Sequence, residues 1–565
     1  MSKETTKTEN WNTNLGVMLA VAGSAVGFGN FLRFPGLAAQ YGGGAFMIAY
    51  FCAFLLLGIP ISWIEWSVGR KGGTLGTHST PAIFYRLSSS PAWKYLGIMG
   101  VLAPLALAMY YIYLEAWTLG YAWHTAVGNL SLNNIEEYGN FFANFVGLPG
   151  DGHIFSGNSS ALIFFVIVAA VNFYLIFRGV SKGIEWFCKW SMPVLLAICV
   201  LILARVLTMG TPDAAHPERN VSQGLGYMWN PDKVVLVDTV SGATLDMVPA
   251  GATQAQQTAL IEKTQKANPE AVVEAREISI LRGLLNPELW LAAAGQVFFS
   301  LSVGFGTVCT YASYVRNNKD VALSSLTANS ANAAAEVGLA GMMIIPAAVG
   351  LLGVAAAATT SLFGLGFNVL PLVFHNMPGG QLFGTLFFLL LFIAAVTSAI
   401  SMLQPGIAFL EEFWGLRRMQ SVTLLGLILT CGTLLVAWFT TELLALDTLD
   451  FWFGTISLYL TTGLYLYLFN VVWGTKQGMD ELRHGAAMHV PSVVGIIVKW
   501  VTPVIMAIIF TAWVFQNIVG KPCAYITNIL EMKPGAIFPL VWVLLVAGFF
   551  AFVIHTSNRF HKRNK

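Results

Sequence analysis

The sequence predicts an all-α polytopic membrane protein with about twelve transmembrane helices, and three observations support this fold class. Hydrophobic residues make up 56% of the 565 residues and charged residues only 10%, whereas soluble proteins carry about a quarter charged residues. The apolar residues are grouped in runs of about 20, the length that a helix needs to cross a bilayer. The tetrapeptide Val-Gly-Phe-Gly occurs twice, at 26–29 and 303–306, each time inside such a run.

The apolar runs follow one another along the chain with polar connections between them. The connection 70–94 is basic, and 209–287 is the longest connection. In chain order, we expect helices at 13–37, 43–69, 96–126, 160–178, 187–208, 288–315, 321–356, 380–411, 420–440, 449–473, 493–518 and 536–557.

The two Val-Gly-Phe-Gly copies predict that the first and sixth helices are broken. Glycine weakens a helix, and an unpaired backbone group inside hydrocarbon is costly unless something polar satisfies it. Glycines also let helices pack closely, and for a single copy that alternative would be equally good. A matched pair near the start of each half is instead typical of transporters built from inverted repeats, whose binding site lies at the midplane.

The distribution of basic residues predicts the orientation. Lys and Arg cluster on the connections that would share one side, whereas 127–158 and 357–379 contain neither. Because basic residues of short loops stay cytoplasmic, we expect a multi-pass protein of the plasma (cell inner) membrane with both termini in the cytoplasm. The cytoplasmic set would be Arg70, Lys71, Arg86, Lys94, Arg178, Lys182, Lys189, Arg316, Lys319, Arg417, Arg418, Lys476, Arg483 and the basic tail 559–565.

The long loop 209–287 would then be external. Its segment 255–278 could form an amphipathic helix, and we interpret the loop as a cap or insertion rather than a dedicated partner-binding module. Three tripeptides on the outer side match the N-glycosylation pattern, which would be silent in a bacterium. They begin at Asn129, Asn158 and Asn220.

Composition and motifs argue against several other classes of function. The formal net charge of +2 gives no support for nucleic-acid binding, and the six cysteines are scattered without metal-ligand spacing. We find no nucleophile–base pair, metal-ligand set or phosphate-binding loop in the sequence, so we do not expect an enzyme. The first ten residues are polar, so we expect no cleavable signal peptide.

The residues near the two breaks suit an anionic ligand and an alkali cation. Free N–H groups at a helix start favour a carboxylate, and the preceding half ends in free carbonyl oxygens. Hard oxygen ligands suit Na⁺ better than a transition metal, although hydroxyls also form ordinary interhelical hydrogen bonds. The polar side chains nearby are Ser24, Asn30, Ser300 and Ser302.

Several ordered motifs carry a resemblance to a known family. They are Asn30-Phe31-Leu32-Arg33-Phe34-Pro35, Gly42-Gly43-Gly44-Ala45-Phe46, Gly58-Ile59-Pro60 with Glu65, Gln296-Val297-Phe298-Phe299-Ser300-Leu301-Ser302, and Thr397-Ser398 with Gln404-Pro405. Together they resemble the neurotransmitter:sodium symporter family, in particular its bacterial leucine-transporter branch. The resemblance covers nearly the whole chain and is weaker in the last two helices and in loop 209–287.

The resemblance implies a leucine-transporter-type fold, in which two inverted repeats of five helices each contain one broken helix. The N-terminal tail and helices 1–5 would occupy 1–208, followed by the extracellular insertion 209–287. Helices 6–10 would occupy 288–475, and 476–565 would hold helices 11 and 12 with the cytoplasmic tail.

The resemblance also implies two sodium sites. The first ion would be bound by Ala25, Asn30, Ser300 and Asn332 together with the substrate carboxylate. A ligand shared between ion and substrate couples their affinities. The second ion would be bound by Gly23, Val26, Ala394, Thr397 and Ser398.

The implied substrate is a neutral, apolar amino acid. Tyr111 should donate its hydroxyl to the substrate carboxylate, and Gly27 stands where monoamine-carrying relatives have an aspartate. Met402 is adaptable and does not define the size of the substrate. The implied pocket residues are Ser24, Ala25, Phe28, Gly29, Leu107, Tyr111, Phe299, Ser300, Ser302, Phe305, Ser398 and Met402.

Glu336 is an intramembrane carboxylate four residues after Asn332, on the same helix face. Chloride-dependent relatives have a serine there and bind Cl⁻ beside the sodium, so the carboxylate implies chloride independence. The alternative is a glutamate hydrogen-bonded into the packing. We interpret the remaining carboxylates in or near spans as structural partners. They are Glu65, Glu115 and Glu185.

The resemblance implies two gates. Arg33 and Asp450 would form an external ion pair that closes above the substrate with Tyr111 and Phe299. Trp11 and Glu412 match the inner gate, but Thr8 stands where the family has an arginine, and Lys7 is the alternative cation. External loop 127–158 lacks the cysteine pair of animal relatives, which indicates a prokaryotic member.

The leading hypothesis is therefore a sodium-coupled symporter that imports an amino acid by alternating access. An amino-acid sensor or a leaky, channel-like protein on the same fold is the alternative. The expected partners are the amino acid, Na⁺ and the lipid bilayer, without nucleic acid. A homodimer and a monomer both remain open.

Overall fold

The computed structural model describes residues 11, 13–88, 90–156, 161–211, 216, 218–230, 232–241, 244–249, 251–359, 362–520 and 522–557. Four predicted features lie outside these residues. They are Lys7, Thr8, the sequon at Asn158 and the basic tail 559–565.

Apolar helices form most of the molecule, and each predicted run coincides with a helix or a helix pair. Within the described residues, nine helices are long and apolar enough to cross a membrane, and one bent pair adds a tenth candidate span. The helices, labelled in chain order, are α1 (Asn14–Ala25), α2 (Gly29–Gln40), α3 (Gly44–Thr74), α4 (Thr80–Leu87), α5 (Ala92–Ala126), α6 (Ile135–Val146), α7 (Ala161–Phe177), α8 (Val180–Leu207), α9 (Val221–Trp229), α10 (Gln254–Ala267), α11 (Pro287–Ser300), α12 (Thr307–Ser313), α13 (Val321–Val354), α14 (Leu362–His375), α15 (Gly380–Phe413), α16 (Arg418–Trp438), α17 (Thr441–Val472), α18 (Thr475–Arg483), α19 (Val493–Gly520) and α20 (Pro534–Thr556).

Two of the twelve predicted spans fall short of that length and composition. Helix α7 has 17 residues, and the sixth predicted span is divided into the short helices α11 and α12. The total of twelve spans therefore stays a prediction.

Both predicted helix breaks are present. Helix α1 ends at Ala25, α2 begins at Gly29, and the two are bent by 49°. Between α11 and α12 the chain takes a positive φ at Ser302 (53°), Gly304 (84°) and Gly306 (73°). A Cβ at Gly306 would lie 2.3 Å from the Gly100 carbonyl oxygen, so this turn has no room for a side chain.

The insertion 209–287 contains a small sheet that the sequence analysis did not predict. Strands β1 (Lys233–Asp238), β2 (Thr244–Met247) and β3 (Val273–Ile278) are antiparallel in the order β2-β1-β3. Helix α10 covers it, and Leu236, Val248, Leu260 and Val273 form a separate apolar core.

The predicted amphipathic helix over 255–278 is therefore wrong in its second half. Helix α10 ends at Ala267, because Pro269 disfavours helical geometry at Asn268 before it. Beyond it, Val273 to Ile278 pair with β1. Apolar and charged residues alternate from Val273 to Arg276, as in a strand, and the helical interpretation overlooked this alternation.

Helix α9 fastens the insertion to the broken first helix and to α13. The Tyr227 hydroxyl donates to the Ala39 carbonyl over 2.6 Å, and a Cβ at Gly224 would lie 2.3 Å from Pro346 Cα. The insertion is thus packed closely on the helices that hold the breaks.

Candidate functional site

The two helix breaks meet at one carbonyl oxygen. The Ser302 hydroxyl, in the second break, donates to the Ser24 carbonyl in the last turn of α1 over 3.0 Å. The Ser398 hydroxyl of α15 donates to the same oxygen over 3.2 Å. Carbonyls in the last turn of a helix lack intrahelical partners, and here hydroxyls from two other elements satisfy one of them.

A continuous chain of hydrogen bonds joins the side chains proposed for the first sodium. Asn30 accepts from the Gly27 N–H over 2.9 Å and donates to the Asn332 side-chain oxygen over 2.9 Å. Asn332 donates to the Ser300 hydroxyl over 2.6 Å, and Ser300 donates to Glu336 Oε2 over 2.9 Å. Oxygen atoms from α2, α11 and α13 therefore converge in a buried volume, a donor set that suits Na⁺.

Glu336 lies at the end of this chain with three side-chain donors around it. Besides Ser300, it accepts from the Tyr50 hydroxyl and from the Gln296 amide. Gln296 also donates to the Gly29 carbonyl over 3.0 Å, which connects Glu336 to the first break. Sequence reasoning assigned no role to Gln296, although it stands one helical turn before Ser300, and nothing in the sequence pointed to Tyr50.

The residues proposed for the second sodium lie where α15 crosses the end of α1. The Ser398 hydroxyl is 3.4 Å from the Gly23 carbonyl oxygen, and the Thr397 hydroxyl donates to the Ala394 carbonyl over 2.9 Å. Val26 is the C-cap of α1 in an extended conformation (ψ 97°), so its carbonyl points out of the helical ladder. These five positions bring together main-chain and hydroxyl oxygens.

Aromatic rings and small side chains surround the breaks. The Phe28 and Tyr111 ring centroids are 5.0 Å apart, and the Tyr111 hydroxyl accepts the Phe28 N–H over 3.3 Å. A Cβ at Gly27 would lie 2.6 Å from the Tyr111 hydroxyl oxygen and 2.7 Å from Ser398 Oγ. Of the predicted pocket residues, Phe299 and Met402 are half-buried and the others are buried, namely Ser24, Ala25, Phe28, Gly29, Leu107, Tyr111, Ser300, Ser302, Phe305 and Ser398.

The predicted outer gate does not form its ion pair in this structure. The Arg33 guanidinium lies 4.7 Å above the centre of the Phe299 ring, and Asp450 accepts from the Tyr110 hydroxyl over 2.7 Å. Both charged residues line a cavity of about 260 Å³ that reaches Phe28, Tyr111 and Phe299. The cavity between them explains the separation.

The predicted inner-gate residues make separate contacts. The Trp11 indole donates to the Tyr311 carbonyl over 3.0 Å. Glu412 accepts the Ser79 N–H over 3.0 Å and the His78 N–H, so it binds the backbone just before α4. Burial lowers the pKa of the His78 imidazole to about 4, which leaves it neutral at physiological pH.

A different carboxylate binds the start of α1. The Thr13 hydroxyl donates to Glu185 Oε1 of α8 over 2.9 Å, and Lys189 pairs with the same oxygen at 2.7 Å. Thr13 also caps α1 by accepting the Gly16 N–H over 3.0 Å. Glu185, interpreted from sequence as a structural partner, thus joins α1 to α8 near the inner-gate residue Trp11.

The other intramembrane carboxylates also have polar partners. Glu65 accepts the N–H of Gly304, in the second break. Glu115 accepts from the Asn172 amide over 2.6 Å. Glu65 therefore supports the broken helix directly, and its position inside an apolar run was the available signal.

Comparison with known proteins identifies the family. A profile of the sodium:neurotransmitter symporter family matches residues 8–211 and 275–559. The chain belongs to this family. Strands β1 and β2 and helix α10 of the insertion lie outside the matched residues.

Relatives of this symporter are described as sodium-dependent transporters. An uncharacterized sodium-dependent transporter of Haemophilus influenzae is 26% identical over 432 residues, which cover 75% of this chain and 78% of the relative. Another, from Methanocaldococcus jannaschii, is 26% identical over 553 residues, covering 95% and 96%. The symporter is therefore a sodium-dependent, multi-pass transporter and not an enzyme.

A solved structure supports the architecture of the symporter. The crystal structure of MhsT in complex with L-phenylalanine is similar with a TM-score of 0.69 and 25% identity, over 89% of this chain and 99% of MhsT. The leucine-transporter-type fold, with inverted repeats and two broken helices, is thus confirmed.

Proposed function

We propose that this symporter imports a neutral, apolar amino acid with two Na⁺ ions and without chloride. The observation that carries the proposal is the buried chain from Asn30 through Asn332 and Ser300 to Glu336. This chain brings the oxygen ligands of the first sodium site together beside the first break. It ends on the Glu336 carboxylate, whose negative charge would take the place of a bound chloride.

The substrate is an amino acid because the site offers separate features for a carboxylate and an apolar side chain. The start of α2 is the positive end of a helix and attracts an anion, and the Tyr111 hydroxyl lies beside it, 3.3 Å from the Phe28 nitrogen. A side chain at Gly27 would collide with Tyr111 and Ser398, so the protein has no room there for an acidic partner of a substrate amine. The L-phenylalanine bound by MhsT supports an apolar amino acid.

The first sodium couples to the substrate through a shared ligand. The substrate carboxylate would complete the oxygen set of Ala25, Asn30, Ser300 and Asn332. Each partner then raises the affinity of the other by the same factor. The second sodium, between α1 and α15, would be bound by Gly23, Val26, Ala394, Thr397 and Ser398, and it would stabilise the end of α1.

Transport proceeds by alternating access around this site. We infer that Arg33 and Asp450 form the outer gate and approach each other when bound substrate closes the cavity between them. Trp11 and Glu412 would belong to the inner gate, on the cytoplasmic side. In this proposal the protein lies in the plasma (cell inner) membrane with both termini in the cytoplasm. The inward sodium gradient then drives import of the amino acid.

Uptake into proteoliposomes tests this function. The purified chain would be given radiolabelled amino acids, with and without an inward sodium gradient, in chloride or gluconate. We expect sodium-dependent accumulation of an apolar amino acid that gluconate leaves unchanged. Accumulation that requires chloride would contradict the proposed role of Glu336.

The same experiment separates the transporter from the sensor and the leaky channel. Sodium-dependent binding without accumulation would indicate a sensor. Sodium flux that does not depend on substrate would indicate a channel-like leak. Either result would overturn coupled import.

A further inference from the structure

An apolar groove lies between α17 and α19. Its volume is about 430 Å³. Its walls come from one face of each helix, with Tyr459, Gly463 and Val471 on α17 and with Lys499 and Phe510 on α19. Neither the sodium sites nor the gates use any of these residues.

Small residues keep the groove open. A Cβ at Gly463 would have no neighbouring atom within 4 Å, and Pro503 and Ala507 face it from α19. The rim is apolar and exposed, since Tyr467 is 54% and Val471 62% exposed. In a membrane protein such a surface meets lipid tails.

One end of the groove carries a single cation. Lys499 is exposed, and within the described part of the chain no carboxylate lies within 4 Å of its ammonium group. Its nearest aromatic neighbour is Trp500, whose ring centre is 5.5 Å from the ammonium. A basic residue inside a span is costly unless it reaches a headgroup or a partner.

Aromatic residues place that end at the membrane interface. Trp500 is 63% exposed, and Tyr467 stacks on Trp93 with ring centroids 6.0 Å apart. The Asn470 amide donates to the Val498 carbonyl over 3.0 Å, which holds this level of α17 beside Lys499. Exposed Trp and Tyr are typical of the headgroup level of a bilayer.

The depth of the groove matches one leaflet. From Lys499 to Phe510 the helix rises about 16 Å at 1.5 Å per residue, which is about half of the ~30 Å hydrocarbon thickness. Tyr459 and Phe510 close the deep end, with ring centroids 6.1 Å apart. A chain entering beside Lys499 would therefore end near the bilayer centre.

We propose that this groove binds one anionic phospholipid, whose phosphate contacts the Lys499 ammonium and one of whose acyl chains lies along Gly463 to Phe510. The unpaired cation selects the charge of the headgroup, and the apolar walls accept the chain. With the orientation proposed above, the lipid belongs to the cytoplasmic leaflet. Basic pockets between helices on that side suit anionic headgroups.

Native mass spectrometry of the full chain tests the site. The protein in mild detergent would be mixed with equal amounts of phosphatidylglycerol and phosphatidylcholine, and the retained lipids counted. We expect one phosphatidylglycerol to be retained in preference. Lys499→Gln should lower this preference about fivefold, the factor that one basic residue near an anionic surface supplies.

Three further variants define the binding mode. Lys499→Arg keeps the charge and should keep the preference. Gly463→Leu fills the groove and should reduce the retention of both lipids. Lys182→Gln, which removes an exposed lysine on α8, is the matched control and should behave as the unmodified chain.

Several results would overturn the proposal. One is equal retention of both lipids by the unmodified chain, which would mean that the groove does not distinguish anionic from zwitterionic headgroups. Another is an unchanged preference in Lys499→Gln. A third is a dimer that Gly463→Leu dissociates without lipid loss, which would assign the groove to a second copy of the chain.

Discussion

The Asn30 side-chain amide donates to the Asn332 side-chain oxygen over 2.9 Å. This bond joins the start of α2, just after the first break, to the middle of α13. Both residues are fully buried, and both belong to the set proposed for the first sodium. Any change in one therefore acts on the ion site and on the contact between the two halves of the chain.

Replacement of Asn30 by alanine should abolish sodium-coupled uptake. It removes a proposed ligand and leaves Asn332 and the Gly27 N–H without their partner. A buried polar group without a partner costs about 1–3 kcal/mol, so any residual uptake should need at least about fivefold more Na⁺ for its half-maximal rate. Uptake against sodium concentration measures this. Asn133→Ala, at an exposed position, is the control. Normal sodium dependence in Asn30→Ala would contradict the assignment of Asn30 as a ligand of the first sodium.

Replacement of Glu336 by serine should make transport depend on chloride. The variant loses the negative charge beside Ser300, Gln296 and Tyr50, and a bound Cl⁻ can supply it. We expect low uptake in gluconate and recovery in chloride. Glu136→Ser, which changes an exposed glutamate, should remain indifferent to chloride. An active Glu336→Ser variant that ignores chloride would refute the charge role.

Removal of the Glu185 side chain should release the start of α1. Thr13 and Lys189 lose their shared acceptor, and a hydrogen bond to a charged group contributes about 1.5–3 kcal/mol. Cys188 lies 3.5 Å from the position of a Cβ at Gly23, so it becomes accessible when α1 moves away.

The rate of Cys188 alkylation, followed by peptide mass spectrometry, measures that release. We expect a rise of about tenfold in Glu185→Ala and a smaller rise in Thr13→Val. Glu270→Ala, at an exposed position of the insertion, serves as the control. Unchanged labelling in both variants would show that this contact does not hold α1.

A methyl group at Gly27 should impair substrate binding. Its Cβ would lie 2.6 Å from the Tyr111 hydroxyl oxygen, so Tyr111 must move away from the break. Uptake kinetics should show at least about a fivefold rise in KM, in line with the cost of overpacking of about 1–3 kcal/mol. Gly36→Ala is the matched control because open space surrounds Gly36. Equal kinetics in both variants would contradict the proposed pocket.

The sequence predicted the membrane fold and the positions of both breaks well, because each depends on local composition. Backbone groups that are exposed in hydrocarbon are costly. Long apolar runs therefore predict helices, and the paired glycines at 26–29 and 303–306 predict where polar groups interrupt them. The sheet in the insertion escaped prediction, because a short amphipathic segment fits both a helix and a strand until its pairing is known. Pro269 was the local signal that could have ended the helix correctly.

The candidate site was predicted in part. Asn30 and Ser300 stand in motifs of the family, and the spacing of four residues places Asn332 and Glu336 on one helix face. Tyr50 reaches Glu336 from a distant helix, and no local pattern marks such a contact. The sequence likewise does not reveal that Asp450 accepts a hydrogen bond from Tyr110 instead of pairing with Arg33. Which contact forms depends on how far the cavity between them is open.

By itself, then, the sequence determined that the chain is a helical membrane protein with two broken helices and with oxygen-bearing side chains near the breaks. These properties follow from hydrophobicity, glycine placement and side-chain type, which act locally along the chain. Only the tertiary structure decided which groups satisfy the breaks, namely Ser302 and Ser398 at Ser24 and Glu65 at Gly304. It also decided that Glu185 holds α1 and that a groove opens beside Lys499, because both depend on helices that are remote in sequence and meet only when packed.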